Sequence, residues 1–367
     1  MISVNQPLIT KQEINNVRKA LSNGWFSSSG PQIIEFENRF KNFLKKKYCV
    51  LVSSGTAALE IAVKSLELDK SSEIIIPNFT IISNASAVIK NNLKIIPIDC
   101  NPITWNMNIN YIQNSITKNT KAIIATHIYG YPLEMDKIKN ICKKKKIILI
   151  EDSAEMVGHS YMGKKCGSFG DIGVFSFYAN KHITMGEGGA LVTDNKILYE
   201  KFKDLRNLSF GRINRFNHEN LSWNYRITNI QAAFGLPQLK RIKKIIKKKK
   251  NIGKKYYALL KNNKNIYIQK PKLGKLENIY WVIGILLKKG IKREKITAFL
   301  KKKGIETRPF FWPMSQQKVF KKMNFKFKKN FKISEDISKR GFYLPSGLGI
   351  SDNEIRYVCK NLNSVLK

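Results

Sequence analysis

The stretch SFYANKHITMGEGGALVTDN, Ser176–Asn195, sets one lysine, Lys181, and three glycines into a run that otherwise alternates aromatic, small and β-branched residues. GVFSF, residues 173–177, reads as a strand, so Lys181 lies in a Gly-rich loop beyond a strand end. Outward from it, EIIIPNF (Glu73–Phe79), KIIPIDC (Lys94–Cys100), KAIIATHIYG (Lys121–Gly130) and KIILIEDSA (Lys146–Ala154) read as buried strands, each with helical sequence before or after it. That alternation predicts an α/β domain with a largely parallel sheet. From Asn229 to about Leu260 the chain reads as a long helix interrupted by Pro237, and NIYWVIGILLKKG (278–290) with the terminal segments forms a smaller α+β unit. The expected division is residues 1–245 and 246–367. No internal repeat points to a solenoid.

Composition narrows the class. With 367 residues, 43% of them hydrophobic, the chain can fill a sizeable core. No long apolar run suits a membrane span and MISVNQPLITKQEI lacks the features of a signal peptide, so the expected location is the cytoplasm. Five scattered cysteines without CxxC spacing suggest neither a disulfide framework nor a zinc site, and no metal is expected. The formal charge of +40 would suit an anionic partner. Its lysines, however, spread from end to end alongside abundant Ile and Asn, and no zinc-finger, RRM or KH pattern accompanies them. Neither a nucleic-acid partner nor a membrane is expected.

Ligands of open α/β sheets bind beyond the carboxyl ends of the strands. In VLVSSGTAALEIAVKSL a strand, Cys49–Val52, gives way at Ser53, Ser54, Gly55 and Thr56 to a helix expected from Ala57. Such a turn is either an anion site at a helix N-terminus or an ordinary Ser/Thr cap. IILIEDSAEMVG ends a strand in Glu151 and Asp152, with Lys181 following after a second hydroxyl, Ser176. An anion site, a strand-end Asp and a Lys in a Gly-rich loop are the parts pyridoxal phosphate needs: a phosphate grip, a partner for the ring nitrogen, and an amine to join the aldehyde. The glycines of GEGG are expected to let backbone approach that cofactor.

NGWFSSSGPQIIEFENRF (23–40), SSGTAAL (53–59), PNFTIISNASAV (77–88), HIYGYP (127–132), EDSAEMVG (151–158), GDIGVFSFYANKHITMGEGGALVTD (170–194) and WNYRITNIQAAFGLPQL (223–239) resemble, in order and over nearly the whole chain, the sugar aminotransferases of the DegT/DnrJ/EryC1/StrS family. The resemblance implies the type I, aspartate aminotransferase, fold of pyridoxal phosphate enzymes: a large mixed-sheet α/β domain and a smaller C-terminal α+β domain. It implies Lys181 as the lysine joined to the cofactor, Asp152 on the pyridine nitrogen, and Gly55, Thr56 and Ser176 on the phosphate, with Ser54 beside them. Asn224 matches a residue that reaches the phosphate from a neighbouring subunit, which implies a homodimer. Ile81 stands where many relatives stack an aromatic residue on the ring. Glu155 stands where Gln or His is common, and is either a neutral donor or a carboxylate turned toward Lys or Arg.

GIETRPFFWPMSQ (304–316) and RGFYLPSGLGI (340–350) resemble the branch that aminates C-4 of nucleotide-linked 4-keto-6-deoxyhexoses. By that likeness the substrates are a nucleotide sugar and L-glutamate, and Arg308 meets the diphosphate unless it is spent in a surface salt bridge. Trp25, Phe26, Phe311 and Trp312 either line the sugar or base pocket or fill a domain interface. A 3-aminotransferase or a sugar dehydratase of the same family are the alternatives. Dehydrating relatives carry His where this chain has Lys181. A scaffold or nucleic-acid binder on a degenerate fold is a further alternative, against which the intact Asp152 and Lys181 argue.

Overall fold

A computed structural model describes residues 1–366 apart from 212, 219, 328 and 329. Its central sheet contains β1 (Tyr48–Val52), β2 (Glu73–Pro77), β3 (Lys94–Ile98), β4 (Thr120–Thr126), β5 (Ile148–Asp152), β6 (Ile172–Ser176) and β7 (Gly189–Thr193), ordered β1-β7-β6-β5-β4-β2-β3. Strands β2 to β6 are mutually parallel, and β7 runs antiparallel to both of its neighbours. Runs such as Ile74–Ile76 and Ala122–Ala125 are wholly buried because helices cover both faces. One face packs on α2 (Pro31–Leu44), which follows α1 (Lys11–Ser22). The other packs on α3 (Gly55–Lys64) and α4 (Ser83–Ile89).

The expected strands are all present but stop at Pro77, Ile98, Thr126 and Asp152, short of the residues expected to close them. Beyond these points the backbone leaves the ladder to build the rim, as where Asn78 N donates to Ile98 O and His127 N to Asp152 O.

The expected break at Pro237 is not found. Helix α5 (Asn229–Lys240) runs through the proline and ends at Arg241, where α6 (Ile242–Leu260) begins. Proline has no N–H for the carbonyl four residues back, normally a costly loss. Here Asn16 of α1 donates its Nδ2 to that carbonyl, Ala233 O, at 3.3 Å. A neighbouring helix thus supplies the missing donor.

The second sheet, β8 (Ile266–Ile268), β9 (Ile283–Leu287), β10 (Arg308–Pro309) and β11 (Gly341–Leu344), is antiparallel throughout in the order β8-β9-β11-β10. Its core joins α6 and α7 (Asp352–Val365). Residue 245 lies in the first turn of α6, while at the other end of the chain Ile2 N bonds Gly304 O at 2.7 Å and Val4 O accepts from Ser346 N at 3.0 Å. An aromatic cluster of Phe79, Trp105, Tyr129, Trp281 and Phe310 ties the two sheets together. All five cysteines are buried and unpaired. Among the described residues no helix is long and apolar enough to cross a membrane.

Candidate active site

Helix α3 begins at Gly55, two residues earlier than expected, because Ser54 is the cap: its Oγ accepts from Ala57 N at 3.1 Å. Gly55 N and Thr56 N, at the cavity wall, then have no acceptor among the described residues. A cap and an anion site therefore coexist in one turn. The Thr56 and Ser83 hydroxyls lie 2.7 Å apart. Gly55 has to be glycine here, since a Cβ would stand 2.8 Å from the Ser176 Cβ.

The two carboxylates closing β5 face different environments, as residues of successive pleats do. Glu151 accepts from Gly167 N (2.6 Å) and Phe169 N (2.7 Å) and pairs with His127 Nε2 at 3.0 Å. His127 Nδ1 accepts from Leu133 N, so Nε2 carries the proton. Burial raises the Glu151 carboxyl, but these partners outweigh it and hold the group below its ordinary range. Cys166 completes a buried His127, Glu151, Cys166 group, yet both ring nitrogens of His127 are already engaged.

Asp152 points to the cavity. Its Oδ1 accepts from Ala154 N and its Oδ2 from Asn84 Nδ2, each at 3.1 Å, and Asn84 is fixed in turn by Thr126 Oγ1 at 2.8 Å. Burial raises this carboxyl above its ordinary value against those two bonds and the charge of Lys181.

Lys181 sits between β6 and β7 on a turn closed by its own N–H to Tyr178 O at 2.9 Å. Its Nζ lies 4.0 Å from the centre of the Trp281 ring, and Trp281 Nε1 donates to Asn180 O at 3.0 Å. Burial lowers the lysine from its ordinary range, with Glu155 and Asp152 pulling the other way. Glu155 makes no ion pair among the described residues; its Oε2 accepts from Tyr129 N at 2.6 Å. Burial pushes its carboxyl up to about 8, with Lys181 opposing and Asp152 reinforcing, which favours a neutral acid near neutral pH.

The glycines of GEGG act differently from expectation. They do not line the cavity; Gly189 lies against the Ser54–Thr56 turn, where a Cβ would meet Ser54 O at 2.4 Å. Gly189 lets β7 approach the start of α3, while Gly188 faces Ile227 and Gly186 stands in open space.

Ser54, Gly55, Thr56, Ile81, Asp152, Glu155, Ser176, Lys181 and Phe311 all border one cavity of about 310 Å³. Five other expected residues do not. Trp25 and Phe26 are exposed on a surface segment pinned by Asn229, whose Nδ2 donates to Trp25 O at 2.9 Å, so they are neither pocket lining nor interface core in this chain. Trp312 is half-exposed, with Nε1 on Gln316 O. Arg308 pairs with Glu306 at 3.1 Å on an exposed edge, in register with Tyr343, which does border the cavity. Asn224 is exposed, and its backbone bridges Asn207. Residues that sequence reasoning missed are Thr80, Ser83, Asn84, Thr126, Trp281 and Tyr343. The first three stand inside PNFTIISNASAV and Thr126 at a strand end, where polar residues were the signal to follow.

Free N–H groups at one end, Asp152 at the other and Lys181 between them match a phosphorylated pyridine aldehyde. Thr80 Oγ1 at the wall is buried with no partner among the described residues, so polar capacity is left for a ligand. The chain belongs to the DegT/DnrJ/EryC1/StrS aminotransferase family, whose model matches residues 7–363; it is an aminotransferase working with pyridoxal phosphate. It is 37% identical over 363 residues to the GDP-perosamine synthase of Escherichia coli O157:H7, covering 99% of this chain and 98% of the relative. To the GDP-perosamine synthase of Vibrio cholerae it is 34% identical over 361 residues, covering 98% and 97%. Spr1654 of Streptococcus pneumoniae in its PMP form superposes with a TM-score of 0.93 at 25% identity, covering 100% of this chain and 97% of that one. The same protein is known in a PLP form.

Proposed function

We propose that the protein transfers an amino group to C-4 of a GDP-linked 4-keto-6-deoxyhexose, giving a 4-amino-4,6-dideoxy sugar of the perosamine type with L-glutamate as donor. Full-length likeness to GDP-perosamine synthases is the observation that supports the substrate. Lys181, Asp152 and the start of α3 around one cavity support the chemistry.

When bound, pyridoxal phosphate supplies an aldehyde that takes up nitrogen and a ring that accepts the electron pair of a broken C–H bond. Gly55 N, Thr56 N and the Ser176 hydroxyl bind the phosphate at the positive end of the α3 dipole. Asp152, aimed by Asn84 and Ala154 N, holds a proton on the ring nitrogen. Ile81 borders the same cavity and would offer the cofactor an apolar wall. Lys181 Nζ holds the cofactor and, once released, carries a proton to and from the carbon that receives nitrogen; its burial favours the free amine this requires. Trp281 keeps water from the back of Nζ. Glu155 in its neutral form donates a hydrogen bond toward the substrate. Arg308 exchanges Glu306 for the diphosphate, and Phe311 borders the sugar.

We further infer a cytoplasmic homodimer in which Asn224 serves the pocket of the second copy, with Trp25 and Phe26 near the same face. Two units, 1–245 and 246–367, frame each pocket. The test is incubation with L-glutamate and GDP-, UDP- or dTDP-linked 4-keto-6-deoxyhexoses, following 2-oxoglutarate and locating nitrogen by NMR. Nitrogen at C-4 of the GDP sugar is expected. Preference for a UDP or dTDP sugar would point to a viosamine-type product, and nitrogen at C-3 or loss of a hydroxyl would overturn the proposal.

A further inference from the structure

The turn that carries Lys181 is tied down on nearly every side. Asn5 Nδ2 donates to Ala179 O at 3.2 Å, Trp281 Nε1 to Asn180 O at 3.0 Å, and Gln238 both accepts from Thr184 N (3.0 Å) and donates to Thr184 O (2.8 Å). His182, next to the lysine, is the exception. Its ring is 3% exposed, and neither nitrogen has a partner among the described residues.

His182 borders a second, separate cavity on the back of the turn, together with Asn5, Asn180, Gln238 and Lys249. Asn180 and Lys181 are common to this cavity and to the active-site cavity, so they form the wall between them. Lys249 is buried without a carboxylate partner among the described residues; its Nζ donates to Ser346 O and, at 3.3 Å, to Ser346 Oγ, and burial lowers the amine to about 7, so it offers a water a third proton when charged and a lone pair when neutral. Asn180 Oδ1 is buried and unpartnered as well. The space measures about 10 Å³, room for about one water.

We propose that His182, Asn180 and Lys249 bind one internal water behind the active-site wall, and that this water bridge positions Lys181. A neutral imidazole has one donor and one acceptor nitrogen, and a water can meet either one while also reaching an amide oxygen and the lysine nitrogen. Burial, then the charges of Lys249, His159 and Lys181, hold His182 well below its ordinary range, so the ring is neutral. A buried water of this kind makes about three hydrogen bonds, the number of partners on offer here. His182 and Lys249 are positioning residues on this view, touching neither substrate nor cofactor.

The positioning role rests on the function assigned to Lys181, but the water does not, and two arms of one experiment keep them apart. In crystals of the holoenzyme that resolve ordered solvent, density is expected within hydrogen-bonding distance of a His182 ring nitrogen and of Asn180 Oδ1 or Lys249 Nζ. A dry cavity, a His182 ring turned to bond Lys249 directly, or an anomalous bromide peak after a bromide soak would overturn the site. In the second arm His182→Phe, which fills the space without polar atoms, is compared with His182→Gln, which keeps a donor and an acceptor. The Phe variant is expected to lose roughly tenfold in kcat at unchanged KM. It should also shift the pH midpoint of the cofactor absorbance, with no loss in the melting temperature of the cofactor-free protein. The Gln variant should stay within about threefold of wild type. Equal losses in both variants, or none in either, would reduce His182 to packing.

Discussion

At the scale of single residues, the cavity separates the cofactor's grip from the chemistry done on it. Lys181→Ala should abolish turnover while the protein still folds and takes up cofactor through α3 and Asp152. Mass mapping of the borohydride-reduced wild type should find the label on Lys181 and on no other lysine. Asp152→Asn has one acceptor oxygen, so it keeps only one of the bonds from Asn84 Nδ2 and Ala154 N, and it removes the charge proposed to face the ring nitrogen; steady-state assays should record a loss of roughly 10² to 10⁴ in kcat. Glu155 offers a prediction with a definite sign. Its carboxyl is raised from an ordinary 4.5 to about 8, so the folded state binds a proton more tightly than the unfolded state. The neutral acid costs little below pH 4.5, and stability is lost as pH climbs from there through about 8. Glu155→Gln, which keeps an oxygen for Tyr129 N, should therefore raise the melting temperature of the cofactor-free protein at pH 9 and leave it nearly unchanged at pH 5.

At the scale of elements, the start of α3 does two jobs with one turn, and they can be uncoupled. Ser54→Ala removes the cap and should cost about 1 kcal/mol, as chemical denaturation would report, with modest effect on cofactor affinity. Gly55→Ala drives a methyl into the Ser176 side chain; it should cost about 1–3 kcal/mol and weaken cofactor binding, read by titration of the apo protein, more than Ser54→Ala does. Much of this was legible in the sequence. Strand ends, the Ser54–Thr56 turn, Asp152 and Lys181 are local patterns, in which hydrophobic period and a following polar residue sit side by side. Trp281 was not legible, because a tryptophan inside NIYWVIGILL reads as core and only the packing of one sheet on the other brings it under Lys181. The uninterrupted α5 was hidden for a similar reason: the donor that tolerates Pro237 comes from Asn16, far away in the chain. Trp25 and Phe26 were placed by residue type alone, and type does not tell which side of Asn229 a segment lies on.

At the scale of the whole molecule, each chain carries a formal +40, and the homodimer proposed above would bring two such charges together. Sedimentation should therefore find association strengthening as salt rises from about 0.01 M to 0.15 M, where the screening length falls from about 30 to about 8 Å. A stable monomer that holds cofactor tightly would exclude the shared pocket. The sheet order carries a last consequence, for biosynthesis. Strand β1, which leads into the phosphate turn, has β7 as its sheet neighbour, with Val52 opposite Gly189 and Tyr48 opposite Thr193. A ribosome that has released β1 to β6 has made the lysine's strand and the aspartate's strand, and Gly55 can meet Ser176 across them, but β1 still lacks its neighbour in the sheet. The nascent chain thus gains its cofactor cradle only when Gly189–Thr193 leaves the exit tunnel, and its trapping by pyridoxal phosphate on stalled ribosomes should begin there rather than at Lys181.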